Sequence, residues 1–221
     1  MASLGSLVHR AKVRLRRYGS TYPEKMGYWR DRLRSGYFEH TYGPEQIEKS
    51  EAIARAFRDH SGDTRTLHEI GVGGGRNLFY LLRDRPELEV SGNDLVRAEC
   101  FRYMKPEVES ALRFVEQDTR SFLHDEVEAG HSVDTVLTSD HLIHIPPDGI
   151  DDIIDLMQRY AAQTIVFHEA VRRKPERMDD FWWAHDYSAL ERDFELVHEE
   201  EREPVHFSEY VLRVYRRRPE R

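Results

Sequence analysis

Cysteine is almost missing from this chain: Cys100 stands alone among 221 residues. No internal disulfide can form, and no metal cluster built on paired thiolates is available. Long apolar runs are missing too, none approaching the roughly 20 residues that span a bilayer. The opening MASLGSLVHRAKVRLRR has no uninterrupted apolar region and no cleavage site. Repeats and low-complexity tracts are likewise wanting. These absences predict a soluble protein held in a reducing cytoplasm. What is present is globular in kind: 39% apolar residues, three Trp and eleven Tyr, with apolar segments kept short by turn signals. The length suits one sizeable core with an appended cap.

Charge is distributed unevenly. Residues 1–34 carry nine Lys or Arg against Glu24 and Asp31, so the remainder holds about −15 of a net −8. Leu4, Leu7, Val8, Ala11 and Leu15 recur at helical spacing among those basic residues, as an amphipathic helix requires. Such a helix suits a cap packed on the core, with contact to an anionic membrane surface as the alternative. The acidic remainder and the lack of a recognition motif argue against nucleic acid as a partner.

From residue 60 onward, short apolar runs alternate with helical periodicity, the mark of βαβ units and a parallel sheet. Seven strands are predicted, at 66–70, 88–93, 112–116, 133–139, 164–169, 194–200 and 210–215. Helices are expected at 76–84, 96–104, 148–162 and 178–193, and residues 1–60 read as helical with breaks at TYP and TYGP. The last two strands leave no room for a crossover helix and should form an antiparallel hairpin at one edge. The expected fold is therefore α/β: a Rossmann-like seven-stranded sheet with a terminal antiparallel hairpin, helices on both faces and an N-terminal helical cap. The division is into a cap or lid over 1–60 and a ligand-binding domain over 61–221.

Between the first strand and the first following helix lies HEIGVGGGRN, residues 68–77, with four glycines in ten residues. Glycine this dense means a sharp turn or a backbone pressed against a ligand. A dinucleotide fingerprint aligned on Gly71 and Gly73 needs glycine at Arg76, and a phosphate loop needs Lys and Ser or Thr where Arg76 and Asn77 follow Gly75. Both are disfavoured. The pattern present is acidic-x-Gly-x-Gly-x-Gly, on Glu69, Gly71, Gly73 and Gly75. Twenty-five residues beyond Glu69, Asp94 ends the second strand, where a carboxylate can accept both hydroxyls of a ribose.

On these residues the chain, over roughly 62–217, resembles the class I S-adenosylmethionine-dependent methyltransferases. The resemblance implies S-adenosylmethionine as cofactor, held by Glu69, Gly71, Gly73, Gly75, Asn77, Asp94, Asp118 and Ser139, with Asp118 at the adenine. A second stretch, TSDHLIHIPPDGIDDII, together with GRNL at 75–78 and Glu169, is similar to methylases of pseudaminic acid and other surface-polysaccharide biosynthesis, in which His144 is the matching histidine.

The reaction so implied is methylation of a small polar acceptor, a hydroxyl of a sugar or sugar-derived metabolite. A small amine acceptor and a non-catalytic binding subunit are the alternatives. A hydroxyl must lose its proton, and histidine is a natural recipient near neutrality; His144 and then His141 are the expected bases. Tyr22, Tyr28, Trp29, Arg30 and Tyr37 have the composition of a lid over the acceptor, with His168 and the cluster Arg172, Arg173, Lys174 on the side where substrate should enter. Trp182, Trp183 and Tyr187 finish the pocket or pack. No metal is expected, although His141-x-x-His144 and His168-Glu169 have ligating side chains.

Overall fold

Alternation of buried apolar residues along the strands decides which elements lie on each side of the sheet. The structure, a computed structural model, describes residues 22–34, 38, 42–172, 176–177, 182–205 and 208–219. The basic segment 1–21, Tyr37, Arg173 and Lys174 lie outside the described residues.

The strands are β1 (Thr66–Ile70), β2 (Glu89–Asp94), β3 (Arg113–Glu116), β4 (Val133–Ser139), β5 (Ala161–Val171), β6 (Glu176–Arg177), β7 (Trp183–Ala184), β8 (Phe194–Val205) and β9 (Ser208–Arg217). Seven of them form one sheet in the order β3-β2-β1-β4-β5-β9-β8, and β6 pairs with β7 alone. The first five are parallel, and β9 is antiparallel to both β5 and β8. A two-residue link between β8 and β9 permits only a hairpin, whereas each parallel step needs a crossover of a dozen or more residues.

The helices are α1 (Tyr22–Leu33), α2 (Pro44–His60), α3 (Arg76–Asp84), α4 (Arg97–Tyr103), α5 (Pro106–Ala111), α6 (Thr119–Glu128) and α7 (Pro147–Tyr160). Val136, Ile165, Phe167 and Val211 join one apolar cluster with α1, α6 and α7. Their neighbours Leu137, Val166 and Leu212 join another with α2, α3 and α4. Successive strand residues point to opposite faces, so helices cover both sides. On α7, Ile150, Ile153, Ile154 and Met157 fall at i, i+3, i+4 and i+7 and are all buried. Each such side chain stabilises the fold by about 1.5–3 kcal/mol relative to exposure, and Ile153→Ala alone should cost about 2–5 kcal/mol.

The expected helix at 178–193 is a correction. Among its described residues, from 182 onward, Trp183 and Ala184 are a strand paired with Glu176–Arg177, His185 bridges to Val171, and Ser188–Arg192 form a 3-10 helix. The reason is local competition: Asp186 Oδ1 accepts the Ser188 backbone N–H at 2.9 Å, an Asx turn that interrupts helical bonding. Aromatic residues also favour a pleated surface. Helix α6, absent from the expected set, starts at Asp118, whose side chain accepts from Ser121 N; that N-cap was the signal for it.

Candidate functional site

A cavity of about 450 Å³ lies over the carboxyl ends of β1, β2 and β4, where the strand order reverses between β1 and β4. Loops leaving two such strands diverge and leave a crevice. Its floor is the glycine loop. Gly71, Gly73 and Gly75 have φ of 69, 52 and 71°, a left-handed region that L side chains adopt at a cost of roughly 1–2 kcal/mol. A Cβ on Gly71 would stand 2.0 Å from His141 Nδ1, and one on Gly73 would stand 3.0 Å from the Phe38 ring. Gly75 serves packing instead. A Cβ there would stand 2.9 Å from Val108, so it seats α5 against the start of α3 and does not line the cavity.

Two carboxylates face this loop. Asp94, at the end of β2, accepts from Gly73 N at 2.9 Å and Leu95 N at 2.7 Å. Burial nonetheless raises its pKa, opposing those bonds and the Cys100 thiol. Glu69, at the end of β1, accepts from Asn77 Nδ2 through Oε1 at 2.7 Å, while its buried Oε2 has no hydrogen-bond partner. Burial pushes its carboxyl up to about 8 against the pull of Asn77 and Arg76. Asn77 is held in turn by Ser50 Oγ at 2.6 Å, and Ser50 by Arg76 Nε at 2.6 Å. Arg76 also donates to Gln46. The start of α3 is thus tied to α2.

Beyond Ser139, which lines the cavity, Asp140 takes a positive φ of 53°, unusual for a residue with a side chain. Its carboxylate bridges Lys49 Nζ at 2.6 Å and His168 Nδ1 at 3.4 Å. Burial opposes ionisation there, but His168 and Lys49 outweigh it and hold the carboxyl well below its usual range. Glu169, fully buried, accepts from Thr138 Oγ1 at 2.7 Å and from the backbone N–H groups of His141, Leu142 and Ile143 at 3.1, 3.1 and 3.3 Å. It caps the 3-10 turn Leu142–His144 and so fixes where both histidines stand. Burial, with Asp140 beside it, pushes its carboxyl up to about 8.

The two histidines part company. His141 Nε2 bonds Thr119 Oγ1 at 2.7 Å while the same ring overlies Gly71, and burial lowers its pKa to about 4. It therefore spans the loops after β1 and β3. His144 packs among rings instead, 4.1 Å from Trp29 and 6.5 Å from Trp182 between ring centroids. Met26, Trp29 and Leu33 of α1, Ile143, Ile145, Trp182 and Tyr210 line the cavity with it, while Phe38 lies over Gly73.

Of the residues expected from sequence, Glu69, Gly71, Gly73, Asn77, Asp94, Ser139, His141, His144 and Trp29 line one cavity. Others stand outside its lining. Asp118 caps α6 and accepts from Tyr22 Oη at 2.9 Å, and Tyr22 Oη accepts from Arg120 N at 3.1 Å. Burial opposes ionisation of Asp118, but the Ser121 and Tyr22 bonds hold its pKa down. Tyr28 packs edge-on to Trp29 at 5.4 Å. His168 lies behind the lining, against Asp140 and the Tyr210 ring at 5.7 Å, and Arg172 is exposed with its backbone N–H on His185 O. Lys49 and Asp140 escaped sequence reasoning: a single lysine on a mid-chain helix carries no spacing signal, and Asp140 was legible only as the neighbour of Ser139. Among the described residues, no group of three or more His, Cys, Asp or Glu could hold a metal ion, and no helix is long and apolar enough to cross a membrane.

No protein-family model matches the chain, and no curated sequence does. Solved structures do. The 1,6-didemethyltoxoflavin-N1-methyltransferase of Burkholderia thailandensis, determined with 1,6-didemethyltoxoflavin and S-adenosylhomocysteine, superposes with a TM-score of 0.67 at 17% identity, over 90% of this chain and 91% of that one. The N-methyltransferase NodS of Bradyrhizobium japonicum, with S-adenosylhomocysteine, gives 0.65 at 15% identity over 90% and 99%. The magnesium protoporphyrin IX methyltransferase of Synechocystis, with S-adenosylmethionine, gives 0.55 at 15% over 94% and 91%. At such identities the likeness is one of fold: the chain has the seven-stranded architecture of S-adenosylmethionine-dependent methyltransferases.

Proposed function

We propose that this protein transfers a methyl group from S-adenosylmethionine to a hydroxyl of a small molecule. The observation that carries the reading is the unpartnered, buried Oε2 of Glu69 beside a left-handed glycine loop and the cavity-lining carboxylate of Asp94. A buried polar atom without a partner costs about 1–3 kcal/mol, which a ligand ammonium there would relieve. The amino-acid end of the cofactor suits this corner twice, since the cations Lys49 and Arg76 also line it. In this reading Asp94 takes the ribose hydroxyls, the N–H groups of the glycine loop and Ser139 flank the chain of the ligand, and Asp118 and Thr119 stand towards the adenine. The neighbours crystallised with S-adenosylmethionine or S-adenosylhomocysteine support the same cofactor.

Bound S-adenosylmethionine supplies an electrophilic methyl on a sulfonium. The chain then has to align the acceptor, keep water out and receive the acceptor's proton. His144 stands at the acceptor end and is the proposed base, one ring nitrogen taking the proton. The ring of His141, over Gly71 and on Thr119, belongs to the cofactor side in this reading. Through Met26, Trp29 and Leu33, α1 covers the acceptor end. Glu169 is a positioning residue, since it fixes the turn that carries His144. The similarity of residues 138–154, 75–78 and Glu169 to methylases of surface-polysaccharide biosynthesis supports a sugar acceptor, the rival that the acceptor experiment below tests. Calorimetry with S-adenosylhomocysteine is the test: saturable heat with micromolar affinity is expected, and no heat at high micromolar concentration would sink the reading. Methyl-labelled cofactor incubated with fractionated extract should label a small molecule and not protein or RNA.

A further inference from the structure

The acceptor end of the cavity differs in chemistry from what a sugar requires. A sugar presents a hydroxyl on nearly every carbon, and a site that takes it out of water must return those hydrogen bonds. Of the charged groups that line the cavity, Glu69, Arg76, Asp94, Lys49 and Asp140 are tied to the glycine-loop segment, to α2 or to each other. Among the described residues, the walls around His144 are mostly rings and aliphatic side chains: Trp29 at 4.1 Å and Trp182 at 6.5 Å, with Met26, Ile143 and Tyr210 beside them. Rings gathered around one imidazole favour a flat π-system, which they hold by offset or edge contacts. A polyol could lay only its C–H face on them, and most of its hydroxyl groups would go unanswered.

We propose that the acceptor is a neutral planar aromatic molecule methylated at a ring hydroxyl, seated against Trp29 and Trp182 with that hydroxyl at His144. The inference rests on the methyl-transfer reading of the same site. Proton transfer points the same way. An imidazole has an unperturbed pKa of about 6.5 and a phenol of about 10, a gap that general-base catalysis bridges readily. A sugar hydroxyl lies much nearer the roughly 15.7 of water, for which a lone imidazole is a poor match. A neutral acceptor suits these walls better than an anionic one, because an anion against indoles and aliphatic side chains would give up its hydration with no countercharge in return. In the step itself the acceptor oxygen forms the bond to the methyl carbon, its proton passes to His144, and the demethylated cofactor leaves as the neutral thioether.

The full-length protein, with and without saturating S-adenosylhomocysteine, should be screened by saturation-transfer NMR against two panels: mono- and bicyclic phenols, and free sugars with nucleotide sugars. Saturation transfer to phenols, competed by other phenols and not by sugars, is the expected result. Trp182→Ala should weaken the best phenol at least tenfold while leaving the calorimetric affinity for S-adenosylhomocysteine within twofold. Trp182 is only half-buried, so this variant should fold; Trp29→Phe, which keeps a ring, should weaken the phenol less. Binding confined to the sugar panel, no binding by any phenol, or phenol affinity indifferent to Trp182→Ala would each overturn the proposal. Loss of S-adenosylhomocysteine binding with phenol binding intact would instead strike the methyl-transfer reading, so the two failures are distinguishable.

Discussion

The two ends of the cavity are built by different physics. At the glycine-loop end the work is done by backbone and fixed charge: three residues with left-handed φ, two buried carboxylates and a network running from Glu69 through Asn77 and Ser50 to Arg76. At the other end it is done by side-chain surface, with rings brought in by α1, by the turn after β4, by the segment before β7 and by β9. The first end is rigid because each polar atom in a dry environment is tied to a partner or waits for one. The second end is shaped by packing, and packing tolerates substitution so long as volume and flatness are kept. The contrast teaches where specificity can change: the ring-lined end can be re-cut without disturbing the bonded network of the glycine-loop end.

The sharpest way to break this division is at His144. His144→Ala should lower turnover by about a hundredfold to ten-thousandfold, the usual loss of a general base, with S-adenosylhomocysteine affinity within about twofold by calorimetry. If affinity collapses as well, the two ends are one. Gly71→Val attacks the opposite end. A branched side chain at φ 69° would meet the His141 ring at 2.0 Å, so cofactor affinity should fall at least about a hundredfold, and the backbone strain of roughly 1–3 kcal/mol should lower the melting temperature. Phenol binding measured without cofactor should survive in the folded fraction.

Asp94→Ala removes a charge-assisted partner without blocking the cavity. A loss of about 1–3 kcal/mol, or about tenfold to a hundredfold in S-adenosylhomocysteine affinity, is expected, with acceptor affinity unmoved. The smallest effect is also the most specific. In the ligand-free protein Glu69 has its pKa pushed up to about 8, so it is mostly protonated at pH 7. A ligand ammonium at Oε2 favours the carboxylate, which lowers the pKa in the complex. Binding should therefore release a proton and tighten by up to about tenfold as pH rises from 6 to 8. Glu69→Gln should flatten that profile. Stability runs the other way: a carboxyl with a raised folded pKa contributes most below its unfolded value of about 4.3 and loses that contribution as pH rises towards 8. Glu169, also pushed up to about 8, adds to the same trend, which thermal melts over that range would register.

The sheet was legible because strand, turn and helix signals are local. The short apolar run at 133–139, the lack of room for a helix between the last two expected strands and the four glycines of 68–77 each state their structure within a few residues. Asp94 was legible for the same reason, since it closes a strand next to that loop. Residues 178–193 misled because their apolar spacing fits a helix, while pairing with Glu176–Arg177 and the Asp186 turn overrode it. Asp118 shows another limit: its sequence position says that it follows β3, and only the structure reveals that Tyr22, 96 residues away, has taken one of its oxygens.

By itself, the sequence determined the α/β class, the strand count of the main sheet, the terminal hairpin and the glycine-and-carboxylate corner, because each is written in contiguous residues whose φ, hydropathy and spacing have one economical solution. Only the tertiary structure decided which groups share a cavity. Trp29, His144, Trp182 and Tyr210 come from four separate elements, and Lys49 meets Asp140 across 91 residues. Such meetings follow from the strand order and from which face each helix buries, quantities that no local spacing encodes.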